Sequence, residues 1–120
     1  MRLMNAVVAV GLVASGSAHA QSANMVGYGL SSCRDIVATT IQDQPRTLEI
    51  MGWVFGYMSG LNTGMIISQK QYRDIGAVVK DGAAGALTVP LLRACKDNPT
   101  RNFADVVGEF YSTLPIRNFH

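Results

Sequence analysis

The sequence predicts an all-α fold, a small bundle of four to five short helices stapled by one disulfide. Three observations predict it. Apolar residues recur at helical spacing rather than in alternation, capping signals cut the chain into short segments, and two cysteines lie far apart. No stretch alternates strongly enough for a strand, and there is no internal repeat.

The chain has 120 residues, and its first 20, MRLMNAVVAVGLVASGSAHA, read as a removable leader. Arg2 precedes an apolar run from Ala6 to Ala14, and Ala18-His19-Ala20 makes an A-x-A cleavage pattern. The run is too short to span a bilayer, so a cleaved secretory signal fits better than a retained anchor. Cleavage after Ala20 is expected to leave residues 21–120 as a single helical domain, exported to an oxidising compartment. That segment is nearly neutral, without the basic face that nucleic acid needs and without a polybasic membrane patch. In an oxidising compartment, Cys33 and Cys95 read as one disulfide rather than two buried thiols. Closing a loop of about 60 residues stabilises by roughly 4 kcal/mol in the chain-entropy model.

Each element follows from local chemistry. Residues 21–30 lack a period and read as a flexible arm that ends in a turn. Ser32 is an N-cap with Asp35 three residues on, and Cys33, Ile36, Val37 and Ile41 then share a face, which predicts a helix over 33–42. Asp43-Gln44-Pro45 breaks the chain and starts a second helix over 46–66. Residues 68–74 are polar, a loop or frayed end. Residues 74–79 form a short helix or extended turn, and Asp81 to Gly85 is a loop. Thr88 and Pro90 mark the start of a helix over 89–97, whose inner face holds Leu91, Leu92 and Cys95. It stops at Asn98-Pro99, since a residue before proline leaves the helical region. Phe103, Val106, Val107, Phe110, Tyr111 and Leu114 define the last helix, with Asp105 and Glu109 on its other side. Pro115 ends it, and 116–120 is a tail.

The second helix carries glycine at 52, 56, 60 and 64, one face of a helix. Each costs about 1 kcal/mol relative to alanine. G-x-x-x-G in an apolar segment is a membrane dimerisation signal. Glu49, Ser59, Asn62 and Thr63 argue against that here, and a spanning segment would leave Cys33 and Cys95 on opposite sides of the bilayer. In a soluble fold, a ridge built only of glycine becomes a groove. The expectation is that the first or last helix packs closely into it; the alternative is a partner protein's helix or loop. On the internal reading, Gly56→Leu wedges the helix away from its neighbour and destabilises by several kcal/mol. Trp53, Phe55, Tyr57 and Met58 flank the groove and should supply most of the buried area.

Chemistry is sparse. Residues 21–120 have one histidine, His120, at the last position, and there is no G-x-S-x-G, H-E-x-x-H or P-loop. Two cysteines and one terminal histidine do not make a usual zinc site. Asp74 and Asp81 could form a carboxylate pair, but acids in polar loops are usually just solvated. The expectation is no enzyme, no cofactor and no metal.

Two segments carry a resemblance. Ser32-Cys33-Arg34-Asp35-Ile36 is a capped cysteine opening an amphipathic helix. Thr88-Val89-Pro90-Leu91-Leu92-Arg93-Ala94-Cys95 leads into Asn102-Phe103-Ala104-Asp105-Val106-Val107-Gly108-Glu109-Phe110-Tyr111. Together they resemble the HdeA-type periplasmic acid-stress chaperones, over roughly half of residues 21–120. Cys33 and Cys95 map onto that family's single disulfide. The W-x-x-G-Y-x-S-G-x-N string from Trp53 to Asn62 departs from it and is similar to a wider set of small exported proteins, immunity proteins of the Tai type included. The resemblance implies a folded dimer at neutral pH that partly unfolds in acid and holds clients. Asp35, Asp43, Asp105 and Glu109 sit where caps or surface pairs are expected, and full protonation takes residues 21–120 from about +1 to roughly +10. Client surface would then come from Trp53, Phe55, Tyr57, Met58, Phe103 and Phe110. The alternative is an immunity-type protein that neutralises a secreted effector. Either way the partner is protein, without nucleic acid or stable membrane insertion, and a homodimer stays open.

Overall fold

Capping residues set the helix borders. The computed structural model describes residues 27–78 and 84–120, with side chains from residue 87 onward in the second stretch. The expected leader, its cleavage point and residues 21–26 lie outside the described residues. A 3₁₀ turn at Tyr28–Leu30 leads into α1 (Cys33–Gln42). The Ser32 hydroxyl accepts the Asp35 N–H at 3.2 Å, which satisfies one of the orphan donors of the first turn. Asp43 ends α1 and starts α2 (Gln44–Gln69), its carboxylate accepting the Arg46 N–H at 3.2 Å. Pro45 falls in the first turn of α2, where a missing N–H costs nothing.

α2 has 26 residues and ends at Lys70, a left-handed residue with φ 54°. It therefore runs longer than 46–66. No helix among the described residues is long and apolar enough to cross a membrane. The chain continues into β1 (Gln71–Arg73), a 3₁₀ turn at Ile75–Val78, α3 (Ala84–Asp97), α4 (Phe103–Ser112) and β2 (Ile116–Asn118).

Two expectations need correction. The polar stretch before Asp74 and the terminal tail are paired antiparallel, Gln71 with Asn118, Tyr72 with Arg117 and Arg73 with Ile116. Three-residue strands are too short to show alternation, so the sequence pattern missed them. Helix α3 also starts before Thr88 and carries Pro90 in its interior. Proline opens many helices, but here Leu87, Leu91 and Cys95 form one fully buried row that reaches back past it.

The core sits where the four helices meet. Cys33 and Ile36 of α1 join Ile50, Met51, Val54 and Met58 of α2 and that α3 row. The α4 stripe of Phe103, Val106, Val107 and Tyr111 closes it, with Leu114 just beyond. No charged or polar side chain is buried among the described residues. Cys33 and Cys95 are disulfide-bonded with their Cα atoms 4.7 Å apart, which ties the start of α1 to the end of α3.

The starts of α1 and α4 cap each other through backbone. Cys33 N–H donates to the Arg101 carbonyl at 2.8 Å, and Arg34 N–H to the Pro99 carbonyl at 2.9 Å. In return, Phe103 N–H donates to the Ser31 carbonyl at 2.9 Å. The loop 98–102 thus supplies acceptors that α1 would otherwise take from water.

Candidate functional site

The glycine row is the first place to look. On a helical wheel Glu49, Gly52, Gly56, Gly60, Thr63 and Ile67 fall within about 80° of arc. All six are exposed. An added Cβ at Gly52, Gly56, Gly60 or Gly64 would meet nothing within 4 Å. The internal-packing expectation is therefore overturned: among the described residues no helix enters the groove. The reason is geometric. The core row of α2 is Ile50, Val54 and Met58, and the glycine row runs two residues later, about 200° around the helix. Once the large side chains enter the core, the glycines must face out. The result is a smooth strip about 18 Å long, with Leu48 and Ile67 exposed near its ends.

The six apolar residues expected to meet clients sit differently. Met58 and Phe103 are fully buried. Trp53, Phe55, Tyr57 and Phe110 are half-buried and pack against the core. Trp53 stacks on Tyr57 at 5.1 Å and leans on Phe103 at 5.8 Å. In the folded state the four half-buried residues keep a minor part of their surface in solvent, and full access to all six requires the helices to part. Trp53 is also why Gly27 is glycine. The backbone there has φ +94°, and a Cβ would lie 3.0 Å from Trp53 Cδ1.

Sequence reasoning missed a polar clamp at Asn62. Its side-chain Nδ2 donates to the Arg73 carbonyl at 2.9 Å, while its Oδ1 accepts the Arg73 N–H at 2.7 Å. The Tyr111 hydroxyl donates to the same Oδ1 at 2.7 Å. Arg73 Nη1 in turn donates to the Leu114 carbonyl at 2.7 Å, and its guanidinium lies over the Tyr111 ring. Burial pushes the Tyr111 phenol above its ordinary value. An amide that satisfies both backbone groups of one residue fixes β1 against α2 without help from β2.

The ion pairs lie at the joints between elements. Asp43 pairs with Arg46 at the α1–α2 corner at 3.4 Å. Asp74 Oδ2 accepts from Arg117 across the ribbon at 3.3 Å, and its Oδ1 accepts the Ala77 N–H. Arg101, in the loop that caps α1, grips Glu109 of α4 with two bonds of 2.8 and 2.6 Å. That fork holds the Glu109 carboxyl below its ordinary value. Asp35 and Asp105 occupy first turns of α1 and α4, where a negative charge faces the helix N-terminus. Asp81 lies outside the described residues, so a pair with Asp74 has no geometry here. No group of three or more His, Cys, Asp or Glu among the described residues could hold a metal ion.

Comparison with known proteins returns no match: no family model, no curated protein and no solved structure is similar to this chain at a significant level.

Proposed function

We propose that this is an exported, HdeA-like binding protein rather than an enzyme, released into the periplasm by cleavage after Ala20. It acts as an acid-stress holdase that partly unfolds at low pH and binds other unfolding proteins. One observation carries this reading: Arg101–Glu109 ties the α3–α4 loop to α4 and Asp74–Arg117 ties the end of β1 to β2, Asp43–Arg46 closes the first turn of α2, and the aromatic side chains Trp53, Phe55, Tyr57, Phe103 and Phe110 are buried or half-buried behind them. Acid neutralises the carboxylates at these joints and leaves the cations. Each exposed pair contributes little alone. The sum matters more, because net charge then rises to roughly +10 and the helices repel. The Cys33–Cys95 bond keeps α1 and α3 tethered while Trp53, Phe55, Tyr57 and Phe110 become accessible.

The test is light scattering of an acid-labile client enzyme at pH 2–3, with and without residues 21–120. Near-UV circular dichroism is followed from pH 7 downward on the same protein. Loss of tertiary signal near pH 3 together with suppressed scattering is the expected result. A protein that stays folded, or unfolds without protecting the client, overturns the reading.

A second reading is favoured by the uncovered glycine strip: an immunity-type protein, or one protomer of a homodimer, that uses the folded surface of α2. It predicts a stoichiometric complex at neutral pH that survives gel filtration and is lost on Gly56→Leu. The holdase reading predicts that Gly56→Leu leaves client protection in acid unchanged.

A further inference from the structure

We infer that the Arg101–Glu109 fork is an acid-opened clasp for the joint between α1 and α4, and that this joint opens before the ribbon end of the molecule. The inference deepens the acid-holdase reading and rests on it for its use to the cell. Three observations place the clasp there. Arg101 reaches Glu109 with two parallel bonds, the geometry in which an arginine–carboxylate pair is most specific. The same residue's carbonyl accepts the Cys33 N–H, so the guanidinium grips α4 while the backbone caps α1 beside the disulfide. The fork also lies at the rim of a groove of about 210 Å³ between α3 and α4, floored by Leu91, Val106 and Phe110. Opening it uncovers apolar surface directly.

Few charges compete. Asp105, one turn earlier on α4, also acts on Arg101. From α3 and its end the groove receives Pro90, Leu91, Ala94 and Asn98, none of them charged. From α1 the loop meets backbone N–H groups. Protonating Glu109 therefore weakens the two bonds that grip α4 and leaves Asp105, also on α4, as the remaining acidic neighbour of Arg101 among these groups. The sign follows. Because the fork lowers the Glu109 value in the folded state, its contribution is complete above the ordinary glutamate range. That contribution is lost as pH falls through the lowered value.

Amide hydrogen exchange on residues 21–120 tests this without any client, so its outcome is independent of the holdase assay. The Cys33 and Arg34 amides report the clasp, and the Arg73 amide, held by Asn62, serves as reference. Protection is corrected for the intrinsic rate at each pH. In the wild type, Cys33 and Arg34 should lose protection several-fold between pH 7 and pH 3, before Arg73 does. Glu109→Gln should show that loss already at pH 7 and change little on acidification, while Asp74→Asn leaves both amides as in the wild type. The inference is overturned if Glu109→Gln matches the wild type at pH 7. It is also overturned if all three amides lose protection together.

Discussion

Helix α2 carries two rows of the same spacing and opposite fate. Ile50, Val54 and Met58 recur every four residues and lie in the core. Gly52, Gly56, Gly60 and Gly64 recur every four residues and face open space. Periodicity says that residues share a face; it does not say which face is buried. Side-chain size decides that, because burial is driven by apolar area removed from water, and a glycine row offers almost none. The cost of four glycines is then not offset by close packing against the row among the described residues.

The largest expected effect comes from the core row. Met58→Ala should destabilise by about 2–5 kcal/mol in urea unfolding, since it leaves a cavity where nothing exposed can collapse inward. A loss near zero would mean that the row assigned to the core is not the core. Next is Asn62→Leu. It strips the clamp from Arg73 N–H and carbonyl and should cost about 1–3 kcal/mol, with early loss of Arg73 amide protection. Unchanged protection there would show that the β1–β2 pairing alone holds the ribbon. Gly27→Ala should cost about 1–3 kcal/mol, through the positive φ and the approach to Trp53, and should alter tryptophan fluorescence. The smallest effect is at high pH. Burial raises the Tyr111 value, so its contribution is complete below the ordinary tyrosine range, near pH 10, and is lost as pH climbs above it. Tyr111→Phe should flatten that part of the stability–pH curve; an unaltered slope would assign it elsewhere.

Much of the fold was legible because it rests on local rules. The Ser32 cap, the Asp43 restart, the stop at Asn98-Pro99 and the α4 stripe all follow from neighbours within four residues. The cysteine pair was legible from the even count and from the export that the leader predicts. What stayed hidden is non-local. The ribbon joins residues 71–73 to 116–118, and Asn62 reads in sequence as one polar residue in an apolar helix. The Arg101–Glu109 fork links a loop to a helix that begins two residues later, with no periodic mark. The outward direction of the glycine row was legible in principle, because two residues separate it from Ile50, Val54 and Met58.

The most direct test of that account is the melting temperature of Gly56→Ala/Gly60→Ala beside that of Gly56→Leu. Two solvent-facing glycines replaced by alanine should raise stability by about 1–2 kcal/mol and the melting temperature by several degrees, because alanine loses less backbone freedom in a helix. Gly56→Leu should leave the fold intact. If both variants melt several degrees lower, something packs against the strip, and α2 does not present its glycines to solvent.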